Sequence, residues 1–118
     1  MKVWNRTVDK AREAVGDLTD NIAAFDFDAV SAETDKGDIV VAMLPGDWHV
    51  PLAEMCINKN AHFVSSSYIA PEMRALHGKA LLAGVACVNE IGLDPGIDHL
   101  MAHHLMAEYR SAHAFSDT

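Results

Sequence analysis

The sequence predicts an α/β fold built on a parallel, doubly wound sheet. Two observations carry this expectation. Five short apolar runs alternate with stretches of helical spacing, which is the order of consecutive βα units. The run Ile39-Val40-Val41-Ala42-Met43-Leu44 shows no polar alternation, so it reads as a strand buried on both faces, as in a parallel sheet.

The elements follow in order. Residues 1–5 form a short apolar start that ends in Asn5-Arg6-Thr7. Val8, Ala11 and Val15 have helical spacing, with Gly16 as the stop. Residues 21–27 are rich enough in Ile and Phe for a second strand. Residues 29–34 read as a short helix started by Asp28 or Ser31, and residues 35–38 as a turn. The strand at 39–44 ends at Pro45-Gly46. Residues 48–60 read as a helix with Val50, Ala53, Met55 and Cys56 on its buried side. Residues 62–65 make another strand, with Ser65-Ser66-Ser67-Tyr68 at its carboxyl end. Pro71 starts a helix at the position proline tolerates, and Gly84 closes it. Residues 85–88 are a last short strand. A helix then runs over 97–109, with Leu100, Met101, His104, Leu105 and Met106 near one apolar side. Residues 111–118 carry little pattern and read as a tail.

Composition narrows the function classes. A chain of 118 residues, half of them apolar, is one domain or most of one. The net charge of −8 argues against nucleic acid. The basic residues suited to an anion are local: Lys2, Arg6, Lys10 and Arg12. No apolar run approaches the ~18 residues of a membrane helix, and no signal peptide opens the chain. Cys56 and Cys87 have no metal-type spacing and read as buried free thiols, which fits a reducing cytoplasm.

The densest chemistry lies between the last two elements, in Asn89-Glu90-Ile91-Gly92-Leu93-Asp94-Pro95-Gly96-Ile97-Asp98-His99. A turn needs only one or two such residues, so this stretch reads as a loop shaped around a ligand. It closely resembles the Asn-Glu-x-Gly-Leu-Asp-Pro-Gly-x-Asp-His signature of the saccharopine dehydrogenase family, in its NADP-dependent, glutamate-forming branch. The resemblance runs from about Val3 to Tyr109. It implies a Rossmann-type domain, with residues 1–110 a partial NADP-binding domain. Residues 111–118 would be a tail leading toward a substrate and dimerisation domain.

On this alignment the first strand here matches strand 2 of a Rossmann domain, and the chain has no Gly-x-Gly-x-x-Gly. The expectation is therefore a partial sheet from strand 2 onward, from a truncated gene product or a fragment. Direct pairing of strands 2 and 4, or a strand from another chain, is the alternative. Alone, the piece is expected to bind dinucleotide weakly, to be inactive and to expose open strand edges.

The resemblance also implies site residues. An arginine after strand 2 grips a 2′-phosphate where an acidic residue would bind ribose, so Asn5, Arg6, Thr7 and Lys10 point to NADP. Leu44 and Pro45, with His49 nearby, match family positions that lie near the cofactor. His49 itself reads as a half-buried helix-start residue. Ser67 would face the nicotinamide and bind a substrate carboxylate, and Tyr68 would orient the substrate or donate to it. Asp94, in a dry pocket with a raised pKa, would handle protons beside the reacting carbon. Asp98 and His99 read as structural, Glu90 as less certain, and metal binding by His99 and His103 is not expected. The family chemistry converts saccharopine, NADP and water to glutamate and aminoadipate semialdehyde, in a homodimer. A sibling acting on carboxynorspermidine or lysine, or an inactive remnant that depends on a partner, are the rival readings.

Overall fold

The computed structural model describes residues 1–113. It divides into two compact units, residues 1–34 and residues 35 onward. The strands form two parallel sheets, one in each unit. Direct pairing of the strand at residues 3–5 with the strand at 39–42 is not the arrangement adopted.

In the first unit, β1 (Val3–Asn5) pairs in parallel with β2 (Ile22–Ala24), in the register Val3 to Ile22, Trp4 to Ala23 and Asn5 to Ala24. Between them α1 (Val8–Val15) packs on both strands and buries Ala11. The second strand is shorter than its composition predicts, because Phe27 already belongs to α2 (Phe27–Glu33). Asp26, rather than Asp28 or Ser31, is the N-cap: its carboxylate accepts the Ala29 N–H at 3.0 Å. Asp28 lies in the first turn, where its charge suits the helix dipole. Thr34 closes α2 by donating its hydroxyl to the Val30 carbonyl, a buried bond of 2.7 Å. Lys2 lies 3.4 Å from Glu33 and 4.7 Å above the Trp4 ring, tying the first strand to α2.

The second unit is a sheet of order β3-β4-β5, with β3 (Ile39–Ala42), β4 (His62–Ser65) and β5 (Cys87–Val88) all parallel. After one 3-10 turn at Gly46–Trp48 the chain enters α3 (His49–Asn58), which packs on β3 and β4. Leu52, Ala53, Met55, Cys56 and Ile57 of α3 are buried with Ala42, Phe63 and Ser65 of the sheet. The helix expected over 71–84 is interrupted. It forms α4 (Pro71–Arg74) and α5 (His77–Ala83), which bury Met73, Leu76 and Ala80. The last helix, α6 (Ile97–His113), runs past the expected end at Tyr109, and its apolar residues Leu100, Met101, Leu105 and Met106 are exposed. Residues 114–118 of the expected tail lie outside the described residues.

The expectation that the strand at 39–44 is buried on both faces is not met. The strand is an edge of its sheet. Val40 and Ala42 are covered, but Ile39, Val41 and Met43 are 65%, 63% and 75% exposed. The register explains the split. Ala42 pairs with Ser65, and Val40 with Phe63, on the side where the sheet is buried. Val41, Val64 and Val88 line up on the other side, where Val41 and Val88 are exposed. Cys87 is only half-buried, less than expected, whereas Cys56 is fully buried and its thiol is pushed up to about 12, first by desolvation and then by Cys87.

Gly84 ends α5 at φ 69°, a left-handed conformation, and a Cβ there would meet nothing within 4 Å. Gly78, inside α5, has equally open surroundings. Gly84→Ala is therefore expected to destabilise the second unit by ~1 kcal/mol through backbone strain alone, while Gly78→Ala stabilises it by roughly 0.5–1 kcal/mol. Urea unfolding of the two variants checks the opposite signs.

Candidate functional site

In parallel sheets ligands collect beyond the carboxyl ends of the strands. In the second unit those ends carry Leu44-Pro45, the segment at 65–69 and the loop at 89–98. Hydrogen bonds bring the last two together. The Tyr68 phenol donates to an Asp94 carboxylate oxygen at 2.6 Å. Ser65 accepts from the Ile91 N–H at 3.3 Å, and Ser67 from the Glu90 N–H at 3.1 Å, both through their carbonyls. The Glu90 carboxylate accepts the Ile69 N–H at 3.3 Å. Two of the residues expected to carry chemistry, Tyr68 and Asp94, are thus in direct contact, and Ser67 is adjacent.

The loop reaches this shape through its special residues. Gly96 has φ 146°, and a Cβ on it would collide with the Gly92 backbone, with which it forms a parallel bridge. The Asp94–Pro95 peptide is cis and Pro95 is buried. The Asp98 carboxylate reaches back to the Gly96 N–H at 2.7 Å, at the start of α6. His99 places its two ring nitrogens 3.8 Å from Glu90 and 3.8 Å from Asp98, and its ring centroid 6.5 Å from that of Tyr68.

These contacts set the electrostatics. The Tyr68 phenol is pushed above its ordinary range, first by its bond to Asp94, then by desolvation and the charges of Asp94, Asp98 and Glu90. Asp98 feels desolvation as its largest influence, which raises it. The backbone N–H groups of Gly96 and His99, the His99 charge and Asp94 together outweigh that and hold it below the ordinary range. The dry pocket expected around Asp94 is not formed by the described residues. Asp94 lies exposed and Tyr68 is 63% exposed.

His49 departs from its reading as a half-buried residue. It is 5% exposed at the start of α3, with Nδ1 3.4 Å from Ser65 Oγ and its ring edge-on to Phe63. Ser65 Oγ in turn accepts the Ser67 N–H at 3.0 Å, while His49 Nε2 is buried without a hydrogen-bond partner among the described residues. Leu44 is half-buried, and Pro45 is exposed where its carbonyl accepts the Trp48 N–H to open the 3-10 turn. Glu90, less certain from the sequence, joins the segment at 65–69 through both its N–H and its carboxylate.

In the first unit, Asn5, Arg6, Thr7 and Lys10 lie at the carboxyl end of β1 and the start of α1. The Asn5 amide donates to the Thr7 carbonyl at 3.0 Å and shapes the turn. Thr7 is the N-cap of α1, but its hydroxyl makes no capping bond. Arg6 is exposed and makes no ion pair among the described residues, while nearby Asp9 is paired with Arg12 at 3.6 Å. An uncommitted guanidinium and hydroxyl fit a phosphate monoester of the 2′-phosphate type. The residues present therefore suit that end of NADP.

The direct Tyr68–Asp94 contact gives a measurable consequence. Asp94→Asn removes the carboxylate that raises Tyr68, so the phenol should titrate closer to its ordinary value. A pH titration of tyrosinate absorbance reads this, and an unchanged Tyr68 titration would break the assigned pair.

Comparison with known proteins follows this geometry. The family described as saccharopine dehydrogenase NADP binding domain matches residues 1–88. The saccharopine dehydrogenase [NADP(+), L-glutamate-forming] of Pyricularia oryzae is 40% identical over 84 residues, covering 71% of this chain and 19% of that protein. The Schizosaccharomyces pombe protein of the same description is 32% identical over 111 residues, covering 91% of this chain and 25% of that protein. A solved structure of apo saccharopine dehydrogenase (L-Glu forming) from Saccharomyces cerevisiae superposes with a TM-score of 0.74 at 32% identity, covering 94% of this chain and 26% of that one. The chain thus spans between about a fifth and about a quarter of the length of these relatives. Among the described residues no helix is long and apolar enough to cross a membrane. With the parallel sheets and these matches together, the chain belongs to the saccharopine dehydrogenase NADP-binding domain family.

Proposed function

We propose that this chain is the nucleotide-binding part of an NADP-dependent oxidoreductase that acts on the carbon–nitrogen bond of saccharopine, forming glutamate and aminoadipate semialdehyde. The observation that carries this reading is the 2.6 Å bond between Tyr68 and Asp94 at the carboxyl ends of the second sheet. Its support is the match to relatives described as NADP(+)-dependent and L-glutamate-forming.

Arg6 grips the 2′-phosphate, assisted by the free Thr7 hydroxyl and by Lys10 one turn on, with Asn5 fixing the turn. The backbone of Leu44 and Pro45, and Ser67, line the cofactor at the second sheet. When bound, NADP would supply the hydride acceptor for the carbon that bears the substrate nitrogen. Asp94 and Tyr68 are the catalytic residues: the carboxylate accepts a proton released near that nitrogen, and the phenol supplies or relays one. Ser67 and Tyr68 orient the substrate carboxylate. The same reading places the protein as a homodimer in the cytoplasm, a reducing compartment in which Cys56 and Cys87 stay free thiols, as they are here.

The direct test is saccharopine-dependent formation of NADPH by this sequence carried in a polypeptide of the relatives' length. Absence of NADPH formation under saturating saccharopine would remove the reading. In the same polypeptide, Arg6→Asp should weaken NADP by ~1.5–3 kcal/mol, the strength of a hydrogen bond to a charged group, and change NAD little. Titration calorimetry with both cofactors checks this, and equal losses would take Arg6 out of the phosphate role.

A further inference from the structure

We infer that Glu90 is a positioning residue for Tyr68, bracketing the two peptide groups on either side of it; the catalytic meaning of that role rests on the proposed function above. The Glu90 N–H donates to the Ser67 carbonyl at 3.1 Å, and the Glu90 carboxylate accepts the Ile69 N–H at 3.3 Å. In a regular parallel ladder one residue meets these two groups with its own N–H and its own carbonyl. Glu90 does not use its carbonyl, because its φ of 60° takes the backbone out of the strand conformation. That oxygen faces Gly96, where an added Cβ would come within 2.8 Å of it. The side chain supplies the acceptor that the backbone has turned away.

The residue type supports this. A left-handed φ favours Gly, Asn or Asp, and a glutamate gains nothing there from its backbone. What glutamate adds is reach. Its second oxygen lies 3.8 Å from His99 Nδ1, and the His99 ring neighbours that of Tyr68. Packing does not hold Tyr68, which is largely exposed. Its 2.6 Å approach to Asp94 depends on the bonds that keep the segments at 65–69 and 89–98 in register.

The experiment uses the 118-residue chain with Tyr109→Phe, which leaves Tyr68 as the one tyrosine of the two in the sequence. It compares Glu90→Gly with Glu90→Gln. Glycine relieves the backbone strain, so this variant should resist unfolding at least as well as its parent. Its Ile69 amide should nonetheless exchange about tenfold faster, the loss of one hydrogen bond, and its Tyr68 titration should fall toward the ordinary phenol. Glutamine keeps an oxygen for Ile69 and should preserve the slow Ile69 exchange, with the Tyr68 titration losing only the small contribution of the Glu90 charge. Should the glycine variant fail to fold, Glu90→Asn, tolerant of this φ but one methylene short, is expected to show the same loss. Unchanged Ile69 exchange in Glu90→Gly and Glu90→Asn would overturn the inference. So would an equal loss in Glu90→Gln, which would assign the effect to charge, or fast Ile69 exchange in the parent. In the longer polypeptide, unaltered turnover by Tyr68→Phe would sink the catalytic reading of Tyr68, while Ile69 exchange still decides the bracket.

Discussion

The backbone of Gly96 lies so close to Gly92 and to the Glu90 carbonyl that no side chain fits between them. The path of the acidic loop follows from that approach. With the Glu90 carbonyl turned toward Gly96, the Glu90 carboxylate is the acceptor for Ile69. The same tight path sets Asp94 opposite Tyr68 and lets Asp98 fold back onto the Gly96 N–H. A loop of three carboxylates would repel itself if they pointed into one space. Here each has a different donor: the Tyr68 phenol, the Ile69 N–H and the Gly96 N–H. Charge is spread by hydrogen bonding rather than by burial, which suits a largely exposed site.

The sheet beneath is asymmetric. One face is closed by α3 and anchors Phe63 and Ser65 at zero exposure. Through Ser65 that closed face reaches the site, because Ser65 Oγ meets both His49 and the Ser67 N–H. The other face presents Ile39, Val41 and Val88. Sequence encodes the environment a strand is suited to, and β3 is suited to two covered faces. Within this unit α3 supplies one of them.

This asymmetry shows why some features were legible in the sequence and others were not. Alternating apolar runs and helical spacings gave the βα order, and Pro71 and Gly84 marked real boundaries. Tyr68 and Asp94 were marked in the sequence by the family resemblance, and the fold brings the two into contact. The start of α2 was misplaced because Asp26 and Asp28 are both plausible caps, and only the bond to the Ala29 N–H decides between them. No Gly or Pro marks the break between α4 and α5, which falls where Met73 and Leu76 both turn inward. His49 read as only half-buried because its partner, Ser65, is 16 positions away. Glu90 looked like an ordinary loop acid because a positive φ leaves no trace in residue type when the residue is not Gly or Asn.

The two perturbed groups of the site act in opposite directions, and this bears on the chemistry proposed for it. A phenol held above its ordinary range stays protonated through neutral pH. Its bond to Asp94 contributes below the ordinary phenol pKa and is lost as pH rises through the raised one. A carboxyl held below its ordinary range stays ionised. The Asp98 contribution is present above the ordinary carboxyl pKa and is lost as pH falls through the lowered one. Between those limits Tyr68 keeps the proton it donates in its bond to Asp94, and ionised Asp98 holds the Gly96 turn. The proton transfer proposed for the site would start from that pattern, with Asp94 as the acceptor of a proton released near the substrate nitrogen and Tyr68 as the donor already bonded to it.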